Sequence, residues 1–271
     1  MKDRSEACAQ MPDPLFVLSE PVIRSAIREA RFVPNSQGLD IGCGNGQITG
    51  LLAESTAPRG LVTGVDKSPE MIACASNTAE KAGLTNKLSY HVGDMRDLPF
   101  DDNSFDWVWS MDCVGYIPIE PLPVIKEAVR VIKPGGRIAL LAWSSQQLLP
   151  GHPGLEAKLN ATSSGIAPFT DKQKPEEHFL RALGWFQQLD LDAIRAQTFI
   201  STVHAPLSHG IQEALRILME MRWTGVRQEL NQPDWREFHR LCMPDSPGYI
   251  LNAPDYYGFF TYSLFQAKVP Q

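Results

Sequence analysis

Glycine recurs at alternate positions in Gly42-Cys43-Gly44-Asn45-Gly46, and two acids stand further on, Asp66 and the Asp94 of Gly93-Asp94-Met95. Glycine has no Cβ, so a turn built from it lets the backbone close on a ligand. A dinucleotide fingerprint would require a third glycine at position 47, where this chain has Gln47. No Gly-Lys-Ser or Gly-Lys-Thr follows, so the turn is not a phosphate-binding P-loop. Asp66 lies 24 residues after Gly42, where a carboxylate at a strand end can accept both hydroxyls of a ribose. The competing reading of Asp66 is an acid at a helix start beside Ser68. Asp94 is suited to accept a hydrogen bond from an exocyclic amine, and Met95 offers a polarizable apolar surface to a purine face.

These residues need elements that bring them to one edge. The first half of the chain alternates strand-like and helix-like segments, the pattern of an α/β domain with a parallel sheet. A helical spacing runs through 14–32 at Val22, Ile23, Ala26, Ile27 and Ala30. Short strands are expected at 38–41, 61–65, 88–92 and 105–111, and a continuous apolar run at 138–143 suits a strand covered on both faces. Ser68-Pro69 is a helix start, a capping hydroxyl followed by proline at the first helical position. Lys133-Pro134-Gly135-Gly136 reads as a break between a helix and the strand from 137 to 143. Residues 144–175, rich in Gly, Pro, Ser and Gln, read as a long loop or lid. A helix is expected at 176–185, a strand at 194–203, helices at 211–223 and 233–241, and a strand pair or one long strand at 257–269. The carboxyl edge of such a sheet is where ligands bind.

Five ordered segments, L-D-I-G-C-G-N-G (39–46), V-D-K-S-P-E-M (65–71), G-D-M-R-D-L-P-F (93–100), F-D-W-V-W-S (105–110) and K-P-G-G-R (133–137), resemble the successive motifs of class I S-adenosylmethionine-dependent methyltransferases. The nearest resemblance is to the small-molecule branch that includes the ubiquinone and menaquinone biosynthesis enzymes. It implies a Rossmann-like, doubly wound, mostly parallel seven-stranded sheet with helices on both faces and a helical cap insertion. The implied single domain has a core of 15–143, 176–206 and 253–271, a lid at 144–175 and a cap at 207–252. It also implies S-adenosyl-L-methionine as cofactor, S-adenosyl-L-homocysteine as product, and a small-molecule methyl acceptor. By motif position, Gly42, Cys43, Gly44 and Gly46 face the carboxypropyl and ribose parts, with Asp40 supporting the turn from behind. Asp66 takes the ribose hydroxyls, Met71 or Lys67 lines the adenine, Asp94 holds its amine with Met95 against the ring, and Ser110 contacts the methionine moiety.

A sulfonium methyl is activated by its own charge, so the protein's main task is alignment. Where an acceptor needs a general base, the candidates are Asp112, Tyr116, His152, His204 and His209, each with a structural reading beside the catalytic one. Cys113 reads as a small buried hydrophobe rather than a nucleophile. The cap carries Leu218, Met219, Met221, Trp223, Trp235, Phe238 and Met243, which pack a helical pair or line a deformable apolar pocket. An NAD-dependent oxidoreductase is disfavoured by Gln47, and a non-catalytic protein that binds the cofactor or its product would carry the same motifs.

Composition narrows the partners. The 271 residues carry 25 Lys and Arg against 31 Asp and Glu, a net charge of −6, with no basic run, which disfavours a nucleic-acid partner. The Asn/Asp-Pro-Pro-Tyr/Phe motif of nucleobase and amide methylating relatives is missing after 105–110, where the chain reads S-M-D-C-V-G-Y-I-P. The five cysteines are far apart and form no C-x-x-C pair, which argues against a disulfide framework or a structural zinc site and leaves no metal expected. No stretch approaches the about 20 apolar residues of a membrane span, and no signal-peptide core is visible. A cytoplasmic protein able to form a homodimer is expected.

Overall fold

The computed structural model describes residues 14–166 and 174–271. Within them, α1 (Phe16–Ala30), β1 (Gln37–Ile41), α2 (Gln47–Ser55), β2 (Leu61–Asp66), α3 (Pro69–Lys81), β3 (Leu88–Val92), β4 (Phe105–Met111), α4 (Pro121–Val131) and β5 (Ile132–Gln147) follow in order. Then come α5 (Pro153–Asn160), α6 (Ala182–Gln188), β6 (Asp192–His204), α7 (His209–Arg222), α8 (Gln232–Cys242) and β7 (Tyr257–Lys268). The strands form one seven-stranded sheet in the order β3-β2-β1-β4-β5-β7-β6. The first five are parallel, and β7 runs antiparallel to both β5 and β6. The chain order reverses direction at β1, which opens a crevice between the carboxyl ends of β1 and β4.

Alternation along the central strands feeds two cores. Trp107 and Trp109 of β4 and Ala139 and Leu141 of β5 pack on one face with α1, α2, α7 and α8. Val108, Ile138 and Leu140 point to the other face, against α4 and α6. Burying both faces of these strands explains their continuous apolar runs. On α1 the buried positions Leu18, Val22, Ile23, Ala26, Ile27 and Ala30 repeat at helical spacing, so the helix lays one stripe on the sheet. Ser68 caps α3 as its position requires, accepting the Met71 N–H at 3.2 Å, with Pro69 in the first turn.

Three expectations are corrected. The K-P-G-G segment does not break before a new strand: β5 is continuous from Ile132, and the irregularity appears as a register shift between Phe105 and Trp107 on β4. Residues 144–160 are not a loop. The strand continues to Gln147, and the buried Glu156 carboxylate accepts the N–H groups of Leu148 and Leu149 at 2.7 and 2.9 Å, folding the chain into α5. Composition missed this because the anchoring acid is a single residue. The helix expected over 176–185 is two short 3₁₀ turns (Pro175–Glu177 and Phe179–Arg181) before α6. Residues 167–173 of the expected lid lie outside the described residues.

Cys43, Cys113 and Cys242 are free thiols, whereas Cys74 on α3 is disulfide-bonded, contrary to the expectation drawn from spacing along the chain. Sequence separation carries no information about which thiols meet in space. Among the described residues no helix is long and apolar enough to cross a membrane.

Candidate functional site

The turn after β1 is held against β2. Gly42 and Cys43 donate their N–H groups to the Val65 carbonyl at 2.8 and 3.1 Å. Gly42, Gly44 and Gly46 have φ of +76°, +52° and +82°, a region that L side chains rarely enter. Their environments differ. A Cβ on Gly42 would meet Cys113 Sγ at 2.2 Å, and one on Gly46 would meet the Tyr90 hydroxyl at 2.6 Å. Around Gly44 nothing stands within 4 Å of that position, so the turn is open at its middle glycine and closely packed at the other two.

Asp66, at the end of β2, accepts the Gly44 N–H through Oδ2 at 3.0 Å and the Ser68 N–H through Oδ1 at 2.9 Å. The helix-start reading of this acid holds through Ser68, and the same carboxylate also braces the glycine turn. Each oxygen keeps a second lone pair, so the carboxylate can still accept a pair of ligand hydroxyls. Asp40, 2% exposed, accepts the Thr49 hydroxyl at 2.7 Å beneath the turn. Burial pushes its carboxyl up to about 7, opposed by the Thr49 hydrogen bond and reinforced by the charge of Asp66.

Asp94 projects at the end of β3 near Lys67, and the Arg96 guanidinium and N–H hold it at 2.6–3.0 Å. These hydrogen bonds lower its carboxyl to about 2. Met71 is exposed on the first turn of α3, and Met95 packs partly buried beside the second core. Ser110 is 2% exposed and donates to the Ile41 carbonyl at 3.0 Å, tying β4 to β1 beneath the cleft. Its hydroxyl is thus spent on the sheet, and the next two residues, Met111 and Asp112, reach the cleft instead.

A cavity of about 580 Å³ opens at this edge. Asp40, Gly42, Asn45, Gln47 and Ile48 line its glycine-turn side, and Met111, Asp112, Tyr116, Trp143 and Tyr262 its sheet side. Its roof comes from α1, through Phe16, Ser19 and Ile23, and from α7, through Leu218, Met221 and Arg222. Of the cap residues expected in a pocket, Leu218 and Met221 reach it, while Met219, Trp223 and Phe238 are buried in the core. The α1 residues, Trp143 and Arg222 were invisible as site residues, although the amphipathic period of α1 was plain. Nothing along the chain says that its first turn overhangs the turn after β1.

The candidates for acid–base work separate. Asp112 and Tyr116 line the cavity. Asp112 sits at φ +49° and accepts the Trp143 N–H at 2.8 Å. Burial pushes the Tyr116 phenol up to about 12, aided by Asp112 and opposed by Arg222. His152 and His204 are not brought to the site. His152 stands before α5 and faces Glu237 at 3.4 Å, and His204 ends β6, exposed, with Nδ1 2.9 Å from the Ala205 carbonyl. His209, at the start of α7, lies elsewhere on the surface. Burial raises the Cys113 thiol to about 12, which disfavours the thiolate a nucleophile needs. Among the described residues no group of acids, histidines and cysteines is arranged to hold a metal ion.

A doubly wound sheet in this order, closed by an antiparallel β7 and carrying a glycine turn after β1, is the class I methyltransferase fold. Residues 39–140 match the family described as "Methyltransferase domain". It is 32% identical over 176 residues to the 27-O-demethylrifamycin SV methyltransferase of Amycolatopsis mediterranei, covering 63% of this chain and 62% of that protein. It is 36% identical over 124 residues to the demethylmenaquinone methyltransferase of Symbiobacterium thermophilum, covering 45% of this chain and 48% of that protein. The chain thus spans less than two thirds of the length of these curated relatives. Among solved structures, the YcgJ protein of Bacillus subtilis superposes with a TM-score of 0.57 at 18% identity, over 93% of this chain and 99% of the other.

Proposed function

We propose that the protein transfers the methyl group of S-adenosyl-L-methionine to a small, partly apolar acceptor, releasing S-adenosyl-L-homocysteine. One observation carries this reading: the glycine turn and the apolar roof line the same cavity, so a donor site and an acceptor site are continuous. The residues fit the cofactor. The open space at Gly44 admits a ligand against the backbone, and Asp66 retains acceptor capacity beside it. When bound, the cofactor supplies a sulfonium methyl group that its positive charge has already activated.

The chain's own residues then bind and orient. Asp66 holds the ribose hydroxyls, Asp40 supports the turn, and Lys67 or Met71 with Met95 flanks the adenine. Asp94 reaches the adenine amine only by loosening its pair with Arg96. Roof residues Phe16, Ile23, Leu218 and Met221 desolvate the acceptor and orient its reacting atom. Where that atom carries a proton, Asp112 is the group to take it, since Tyr116 stays protonated. The negative net charge and the absence of a basic run support a small-molecule rather than a nucleic-acid acceptor.

Calorimetry with S-adenosyl-L-homocysteine, followed by transfer of labelled methyl to a panel of hydroxylated aromatic acceptors, tests the reading. Absence of cofactor affinity sinks it.

A further inference from the structure

A second cavity of about 390 Å³ lies beyond the first, and Tyr116, Trp143 and Arg222 line both. These three side chains form a partition between two chambers. Trp143 is fixed by stacking on Phe260, with ring centroids 4.8 Å apart. The partition's other members come from separate elements: Tyr116 from the connection after β4 and Arg222 from the end of α7, where its Nη2 donates to the Gly165 carbonyl. The far chamber is walled by Ser144, Ser145 and Gln146 at the end of β5, together with Asn160 and His178.

A short hydrogen-bonded series in that wall stops one partner short. Trp223 Nε1 donates to Asn160 Oδ1 at 3.0 Å, and Gln146 Nε2 donates to the same oxygen at 3.3 Å. An indole N–H can only donate, so it fixes which end of the Asn160 amide faces it. The shared Oδ1 can only accept, so it in turn requires the NH₂ of Gln146. Gln146 Oε1 is therefore the terminal acceptor of the series. The residue is 4% exposed, and this oxygen is buried without a hydrogen-bond partner. Buried polar atoms are almost always paired, and one left over at a cavity wall marks a place where a ligand completes the set.

We propose that the far chamber is the distal half of the acceptor site, and that Gln146 selects elongated acceptors bearing a hydroxyl or N–H group remote from the methylated atom. The proposal rests on the methyltransferase reading. The apolar ring system occupies the near cavity under α1 and α7, beside the glycine turn. A chain passes the Tyr116–Trp143–Arg222 partition, and its terminal donor reaches Gln146 Oε1 through a small rotation of that side chain. An acceptor with an apolar terminus leaves the oxygen unpaired.

Two matched probes test this: a naphthol carrying a hydroxyhexyl chain, and the same naphthol carrying a heptyl chain of nearly equal shape. Binding is followed by naphthalene fluorescence, with and without saturating S-adenosyl-L-homocysteine. The wild-type chain is expected to prefer the hydroxyl-ended probe by about tenfold, the scale of one buried hydrogen bond. Gln146→Leu is expected to abolish or reverse that preference while leaving S-adenosyl-L-homocysteine affinity unchanged by calorimetry. Equal binding of the two probes by the wild-type chain, a preference that survives in Gln146→Leu, or binding of neither probe overturns the proposal. The wild-type comparison decides even if the variant does not fold. A wild-type chain that binds no S-adenosyl-L-homocysteine yet prefers the hydroxyl-ended probe instead overturns the methyltransferase reading and leaves Gln146 as a selector of hydroxyl-ended ligands.

Discussion

The Asp66 carboxylate accepts the Gly44 backbone N–H at 3.0 Å, which joins the end of β2 to the middle of the glycine turn after β1. One acid thereby fixes the turn and keeps further lone pairs for a ligand. Asp66→Ala removes both functions. Cofactor affinity is expected to fall about 10- to 100-fold, the scale of a charge-assisted hydrogen bond. Near-wild-type affinity by calorimetry contradicts the assignment.

Gly42 and Gly44 separate folding from binding. Gly42→Ala drives a Cβ into Cys113 Sγ at 2.2 Å and is expected to lower the denaturation midpoint strongly. Gly44→Ala meets nothing within 4 Å and pays only for its positive φ, about 1 kcal/mol. It is nonetheless expected to lose cofactor binding, because on the proposed reading the methyl takes the space in which the cofactor meets the backbone. Denaturant melts and calorimetry on the two variants should therefore rank them in opposite orders.

Asp40 makes stability depend on pH. Its carboxyl is raised from an ordinary carboxylate value to about 7, so the folded chain binds more protons than the unfolded chain between about pH 4 and 7. Stability contributed at this site is therefore greatest in acid and falls as pH rises through that window. Asp40→Asn keeps an oxygen for the Thr49 hydroxyl and removes the titration. Urea denaturation at pH 5 and pH 8 should show a larger loss on going to pH 8 for wild type than for the variant.

Asp112→Asn preserves an acceptor for the Trp143 N–H and tolerates the positive φ, so the fold should survive. With an acceptor whose reacting atom carries a proton, kcat is expected to drop about 10²-fold or more, with the KM for cofactor unchanged. An unchanged kcat removes Asp112 as the base.

The sequence alone determined the glycine turn after β1 and the elements around it. Gly42, Gly44 and Gly46 mark the turn because glycine enters positive φ at the least cost, and Ser68-Pro69 places the helix that makes Asp66 a strand-end residue. These signals are local: each depends on backbone geometry within a few residues, which residue type reports directly. The same locality explains the failures. His152 and His204 had suitable chemistry and the wrong address. The acceptor half joins Phe16, Tyr116, Trp143 and Arg222, residues up to 206 positions apart, and only the packing of α1 and α7 over the sheet brings them together. Burial, which sets the proton affinity of Asp40 and leaves Gln146 Oε1 without a partner, is a property of the assembled layers. No residue carries it by type.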